Sequence, residues 1–270
     1  MEPADEAVVR HYEAVREEGR ISEGFGRLEL LRAQEALRRH LPPPPAGVLD
    51  VGGATGVHAA WLAADGYRVH LVDLAPRHVA EANAELGRLG VTAERGDARQ
   101  LPVPDSAYDA VLLFGPLYHL TERRDRLRAL REAARVARPG AIVAVAAVSR
   151  FASLFDGLSR QFLFGPGFRA IAAQDLQDGQ HRNPDQRSGW WTTAYFHHPD
   201  ELRHEVSEAG LAVRELVGLE GLAFWLPQLA DRWDDQDDRE AILWSARAIE
   251  SEPSLAFLSA HLLLVAEQAS

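Results

Sequence analysis

Between Gly47 and about Val148 two kinds of hydrophobic pattern alternate along the chain. Short continuous apolar runs lie at Gly47–Val51, Arg68–Asp73, Val91–Arg95, Tyr108–Phe114 and Arg138–Val145. Runs of this length, bounded by turn residues, read as buried strands. Between them, apolar residues recur at helical spacing over His58–Ala64, His78–Leu89 and Arg123–Ala137. Strands alternating with helices imply a mainly parallel sheet covered on both faces. Two later runs, Leu211–Val217 and Ser259–Ala266, add strands, and Pro199–Ala209 adds a helix with Pro in its first turn and Asp200 and Glu201 suited to its dipole.

The flanking segments have a different character. Residues 5–40 are helical in pattern, with Leu28, Leu31, Leu37 and Leu41 on one face and a break near Ile21–Gly26. Pro42–Pro45 favours a short stiff polyproline II spacer into the first strand. From Ser149 to about His198 regular alternation stops, and Phe, Trp and Tyr crowd between Gly and Pro. An insertion this long is usually a lid or binding segment. A second insertion, 218–255, holds Trp225, Trp233, the run Asp234–Asp238 and a helix over about Arg239–Glu250. The acidic run reads as a solvated helix entry, because charge runs mostly face water.

Composition narrows the function classes. The 270 residues have ordinary apolar content, 46%, which suits one globular core. All 29 basic residues are Arg, which reads as coding bias from a GC-rich genome. The net charge of −11 disfavours a nucleic-acid partner, which needs a basic surface to displace counterions. With no Cys there is no disulfide, thiol nucleophile or Cys-based metal site. The start lacks a cationic, apolar leader, and no apolar run is long enough to span a membrane, so a cytoplasmic location is expected.

The candidate chemistry begins at Asp50-Val51-Gly52-Gly53-Ala54-Thr55-Gly56, a strand end running into a Gly-rich turn. The dinucleotide fingerprint G-x-G-x-x-G fails here, because Ala54 and Val57 stand where Gly is needed; no Lys follows to make a phosphate loop. The small residues instead alternate after an acid. Downstream, Asp73 closes the second strand, placed like the acid that accepts ribose hydroxyls in dinucleotide folds. Gly96-Asp97-Ala98 follows the third strand and Gly115-Pro116-Leu117-Tyr118-His119-Leu120 the fourth.

This ordered set resembles the class I S-adenosylmethionine (SAM) methyltransferases, whose first motif is written [D/E]-x-G-x-G-x-G. Ala54 replaces the middle Gly, a position at which we expect no positive φ. The resemblance implies a Rossmann-like, doubly wound α/β sheet of seven strands with strand seven antiparallel, an N-terminal helical arm (1–45), a cofactor core (46–148), a lid or substrate insertion (149–198) and a C-terminal part of the sheet (199–270), all in one domain. It implies SAM as cofactor, S-adenosylhomocysteine as product, and a cofactor site drawn from Tyr12, Asp50, Gly52, Gly53, Gly56, Asp73, Leu74, Asp97, Ala98 and Phe114. Asp97 would meet the adenine amino group, and Tyr12 would fold over the cofactor.

The implied reaction is in-line displacement at the sulfonium methyl group, in which alignment and water exclusion do most of the work. Aromatic faces would attract the sulfonium by about 0.5–2 kcal/mol each. Base- and glutamine-modifying relatives tend to carry [D/N]-P-P-[Y/F] after strand four; Gly115-Pro116-Leu117-Tyr118 lacks the polar first residue and suggests a small-molecule acceptor, methylated on O, N or C, as in natural-product tailoring. His119 and His197 are the candidates for proton transfer, since imidazole titrates near neutrality. His197, Glu201 and His204 have helical metal-ligand spacing, but Pro199 interrupts it, so no metal site is expected. Two competing readings stay open: a noncatalytic SAM-binding or regulatory protein of the same fold, and a nicotinamide-dependent enzyme. The sequence leaves the oligomeric state open, a homodimer being one option.

Overall fold

The computed structural model describes residues 25–184, 187, 189–226 and 228–269. Tyr12 and the start of the helical arm lie outside them. Among the described residues no helix is long and apolar enough to cross a membrane.

The core is a seven-stranded sheet built from β1 (Gly47–Val51), β2 (Arg68–Asp73), β3 (Thr92–Arg95), β4 (Tyr108–Leu113), β5 (Ala137–Val148), β8 (Leu211–Gly218) and β9 (His261–Gln268). Its order is β3-β2-β1-β4-β5-β9-β8. The pairs from β3 to β5 are parallel, whereas β9 runs antiparallel between β5 and β8. This is the expected Rossmann-like doubly wound sheet with an antiparallel last strand.

Side chains alternate between the two faces of a strand, so consecutive residues serve different cores. Leu49, Val51, Leu113, Val143 and Val145 pack with Leu130, Ala133, Leu202 and Val206. These helical residues come from α5 (Arg123–Val136) and α8 (Pro199–Glu208). Val48, Leu112, Ala144 and Val265 face the other way, onto Ala36, Leu37, Leu62 and Ala82. That layer is made by α1 (Phe25–His40), α2 (Val57–Ala64) and α3 (Pro76–Leu86). Two covered faces explain why the central strands are continuous apolar runs.

Element ends differ from expectation by one to three residues, for local reasons. The helix expected over His78–Leu89 begins at Pro76, where Pro occupies the first turn, and ends in a single 3₁₀ turn at Gly87–Leu89, closed by left-handed Gly90. The last strand starts at His261 instead of Ser259, because Ala256–Leu258 form a 3₁₀ turn just before it. The insertion after β8 holds two helices, α9 (Leu229–Trp233) and α10 (Gln236–Ile249). Within the acidic run, Asp235 caps α10 by accepting from the Asp238 N–H at 2.9 Å. Leu28 of α1 packs against Leu229, Trp233, Ile242 and Leu243, so α1 bridges this insertion and the sheet.

The segment after β5 forms α6 (Ala152–Ser159), α7 (Pro166–Asp178) and a short ribbon of β6 (Gln180–His181) with β7 (Ala194–Tyr195). Buried Asp175 pins it, accepting from Ser153 Oγ and from His181 Nδ1 at 2.8 Å. The remaining short helix, α4 (Pro116–His119), follows β4.

A buried ion pair joins these parts. Arg126 on α5 donates to Glu205 on α8 at 3.0 and 2.7 Å, both essentially fully buried. The same guanidinium donates to the carbonyls of Leu120 and Thr121, fixing the chain beyond α4, and lies 3.5 Å from the Tyr195 ring centroid. Removing one partner strands the other charge. Arg126→Met should therefore cost about 3–5 kcal/mol of stability, while the double variant Arg126→Met/Glu205→Leu should recover much of that loss in urea unfolding.

Candidate cofactor and acceptor site

The site lies where open α/β sheets bind ligands, at the carboxyl ends of β1 and β4, between which the strand order reverses. The loop after β1 is shaped by close approaches. Gly52 has φ +75°, and a Cβ there would sit 2.5 Å from Pro116 Cδ and 2.9 Å from the Phe114 carbonyl. Gly56 has φ +93°, and a Cβ would meet Leu86 Cδ1 at 2.4 Å. The last Gly of the motif therefore answers to packing against α3, and Gly56 does not line the cavity. Gly53 would press a Cβ onto the Asp50 carboxylate at 2.5 Å.

Ala54 overturns one expectation. It adopts φ +50°, the left-handed region usually left to Gly. That costs an L-residue about 1–2 kcal/mol. Its N–H donates to Asp73 Oδ2 at 3.0 Å, and a hydrogen bond to a charged group contributes about 1.5–3 kcal/mol, enough to hold the turn.

Asp73 is the hub of the cofactor side. Its Oδ1 accepts from the Ala75 N–H at 2.9 Å and faces His78 Nδ1 at 3.2 Å. A carboxylate has about four acceptor sites, so roughly one is left for a ligand hydroxyl. Leu74, Ala98 and Phe114 form apolar walls of the same cavity, with Gly52 and Gly53 at its base. Asp97 stands at the far side, engaged by Arg99 Nε at 3.0 Å and Nη2 at 2.7 Å. Burial pushes its carboxyl up, but the Arg99 bonds outweigh that and leave it below the usual carboxylate range. Two acids in the lining of an apolar slot fit an adenosine, which offers a ribose diol and an exocyclic amine as donors and a ring for the apolar surface.

Asp50 stands apart. It is fully buried behind Gly53, does not line the cavity, and neither carboxylate oxygen has a hydrogen-bond partner among the described residues. Burial first, and the nearby Asp73 charge second, push it up to about 7 against the pull of the Ala59 N–H.

The proton-transfer candidates separate. His119 ends α4 and lines the cofactor cavity beside Tyr118, with ring centroids 4.8 Å apart. His197 does not reach either cavity. It is fully buried against the Arg126–Glu205 pair, with Nε2 3.3 Å from Glu205 Oε2. Burial depresses its imidazole despite Glu205. The geometry thus makes His197 part of the packing under the lid and corrects the expectation that it handles the nucleophile's proton.

A second cavity of about 490 Å³ lies beneath the lid, within the size range of small-molecule sites. Phe168, Trp190, Trp191, Phe196 and Phe224 supply its aromatic walls. Three residues line both cavities: Glu29 of α1, Trp191 of the lid and His261 at the start of β9. Sequence reading missed this junction. The three residues come from segments more than 60 positions apart, and no local spacing links them.

The raised Asp50 gives a pH test. Its folded pKa, about 7, lies above the ordinary 3.8, so its contribution to stability is intact below about pH 4 and is lost as pH rises to 7. Asp50→Asn removes this loss. In ligand-free protein its stability advantage over the parent should grow between pH 4 and 7, reaching on the order of 2–4 kcal/mol by urea unfolding at pH 8.

Residues 48–140 match the family model for a methyltransferase domain. A demethylmenaquinone methyltransferase of Beutenbergia cavernae is 30% identical over 185 residues, covering 65% of this chain and 70% of its own length. An O-methyltransferase of Pyrenophora dematioidea is 31% identical over 178 residues, 56% of this chain; the chain spans 63% of that protein's length. The solved structure of a SAM-dependent methyltransferase from Mesorhizobium loti, 17% identical, superposes with a TM-score of 0.59 over 87% of this chain and 97% of that one. The sheet order, the acids at the ends of β2 and β3 and these similarities together show that the chain belongs to the class I SAM-dependent methyltransferases.

Proposed function

We propose that this protein transfers a methyl group from SAM to a small, partly apolar acceptor held under the lid, releasing S-adenosylhomocysteine. The observation that carries this reading is the meeting of two cavities, one fitted to an adenosine and one walled by aromatics, at Glu29, Trp191 and His261. SAM supplies an electrophilic methyl group on a sulfonium. The chain's own part is to orient the two partners and keep water out. Asp73 fixes the ribose, Leu74 and Ala98 hold the adenine face, and Asp97, shared with Arg99, accepts from the adenine amine. Trp191 packs on Tyr118 with centroids 5.9 Å apart, so the lid closes over the reacting end of the cofactor slot.

An aromatic-walled pocket of this size favours a ring-bearing metabolite, and a natural-product tailoring step fits such an acceptor. The net charge of −11 weighs against a nucleic-acid acceptor. Acceptor-dependent conversion of SAM to S-adenosylhomocysteine across a metabolite panel tests the reading; tight SAM binding with no turnover would replace it with a noncatalytic SAM-binding role. In calorimetry, Asp73→Ala should weaken SAM binding by about 1.5–3 kcal/mol, the loss of one charge-assisted hydrogen bond. An unchanged affinity would remove Asp73 from the ribose contact.

A further inference from the structure

The junction of the two cavities carries a histidine–carboxylate pair that the cofactor motifs do not account for. Glu220, just beyond β8, is 1% exposed. Its Oε1 accepts from His261 Nδ1, and its Oε2 accepts from Ser259 Oγ and from the His261 backbone N–H at 3.0 Å. Ser259 Oγ in turn accepts from the Glu220 N–H at 2.9 Å. The carboxylate is thus locked by protein donors on both oxygens, and the imidazole is locked by the carboxylate. Glu29 Oε2 lies 3.6 Å from His261 Nδ1. His261 lines both the cofactor slot and the aromatic cavity.

We propose that His261 is the general base for the acceptor and that Glu220 is its positioning residue, and hence that the acceptor is methylated on an aromatic or enolic hydroxyl. This rests on the methyl-transfer reading above. With Nδ1–H committed to Glu220, the lone pair of the neutral ring sits on Nε2. In the transfer, the acceptor oxygen forms the new O–CH₃ bond while the S–CH₃ bond breaks and its electron pair stays on sulfur, giving the thioether. The hydroxyl proton passes to His261 Nε2, and Glu220 balances the resulting imidazolium. A neutral amine acceptor already presents a lone pair and can lose its proton after the transfer, whereas a hydroxyl is a poor nucleophile until its proton is withdrawn. The carboxylate holds the ring in one tautomer and orientation, as the orienting acid does in the Ser-His-Asp arrangement. His119 lines the cofactor slot only, so His261 is better placed toward an acceptor in the second cavity.

The same three side chains, Glu29, Glu220 and His261, also have ligand atoms within 4.8 Å of one another, as a metal site would. The base is favoured because Glu220 already satisfies three donors and His261 Nδ1 is one of them.

The test uses 4-nitrophenol, whose ionisation is visible by absorbance, added to the full-length protein saturated with S-adenosylhomocysteine. SAM and S-adenosylhomocysteine affinities, measured first by calorimetry, isolate the parent reading: if neither binds, that reading fails before the base is tested. With the cofactor product bound, the protein should bind nitrophenol saturably and ionise it at pH values below the probe's own pKa. His261→Gln, compared with the parent at saturating S-adenosylhomocysteine for each, should lower the ionised-to-neutral ratio of the bound probe by about tenfold or more, one pKa unit in the pair. Glu220→Gln should lower the ratio in the same direction, and Glu220→Asp should restore part of it, a rescue that a packing role would not give. Among the described residues Glu220 and Glu29 bring carboxylates to the His261 ring, so Glu29→Gln, with its smaller effect, calibrates simple charge removal. Absence of saturable nitrophenol binding, or an ionised fraction unchanged in His261→Gln, would overturn the proposal. So would ionisation that is abolished by EDTA and restored by zinc chloride, which would make the cluster a metal centre.

Discussion

The site depends on one contact, the Asp73 carboxylate against the N–H of Ala54. The Gly-rich turn must bend back sharply after β1 to leave a slot above the sheet. It does so with three left-handed residues, Gly52, Ala54 and Gly56, and only Ala54 does so against its own side chain. The acid at the tip of the neighbouring strand offsets that strain. The same acid borders the slot. Loop shape and ligand chemistry are thereby tied to one side chain, which also explains why the two carboxylates Asp50 and Asp73 are tolerated so close together. Asp73 is satisfied by donors, and Asp50, which lacks them, is pushed up to about 7.

A second tier of contacts fixes what covers the slot. Arg126 and Glu205 join α5 to α8, and the same Arg holds the Leu120 and Thr121 carbonyls that follow His119. The Ser153–Asp175–His181 contacts hold the lid's helices to its ribbon. The His181 ring stacks on Phe196 with centroids 4.9 Å apart, which presents the aromatic wall to the second cavity. Each of these polar groups is buried and paired. Such groups hold geometry well because breaking a pair is costly, even where forming it contributes little net stability.

The strands and helices from Gly47 to Val148 were legible because each carries its own period, and two covered faces turn the strands into unbroken apolar runs. That most of the candidate cofactor residues share one cavity was legible for a related reason. Gly52, Gly53, Asp73, Leu74, Asp97, Ala98 and Phe114 all line one cavity, since each stands at or just beyond the end of a strand and parallel strands bring those ends together. Gly56 and Asp50 stand outside that cavity, Gly56 close against Leu86 and Asp50 buried behind Gly53. His197 misled because a histidine at the end of an aromatic insertion reads alike whether it faces a cavity or a buried carboxylate.

By itself, then, the sequence determined the sheet, its last antiparallel strand and most of the strand-end residues that line the first cavity, all of which follow from short-range patterns and from the geometry of parallel strands. The tertiary structure decided where the second, aromatic-walled cavity lies and what lines it. Glu29, Trp191, Glu220 and His261 come from an N-terminal helix, a lid, a loop and the last strand. Nothing local relates them. Only the antiparallel return of β9 between β5 and β8, with α1 laid across the same face, brings their side chains within reach of one another.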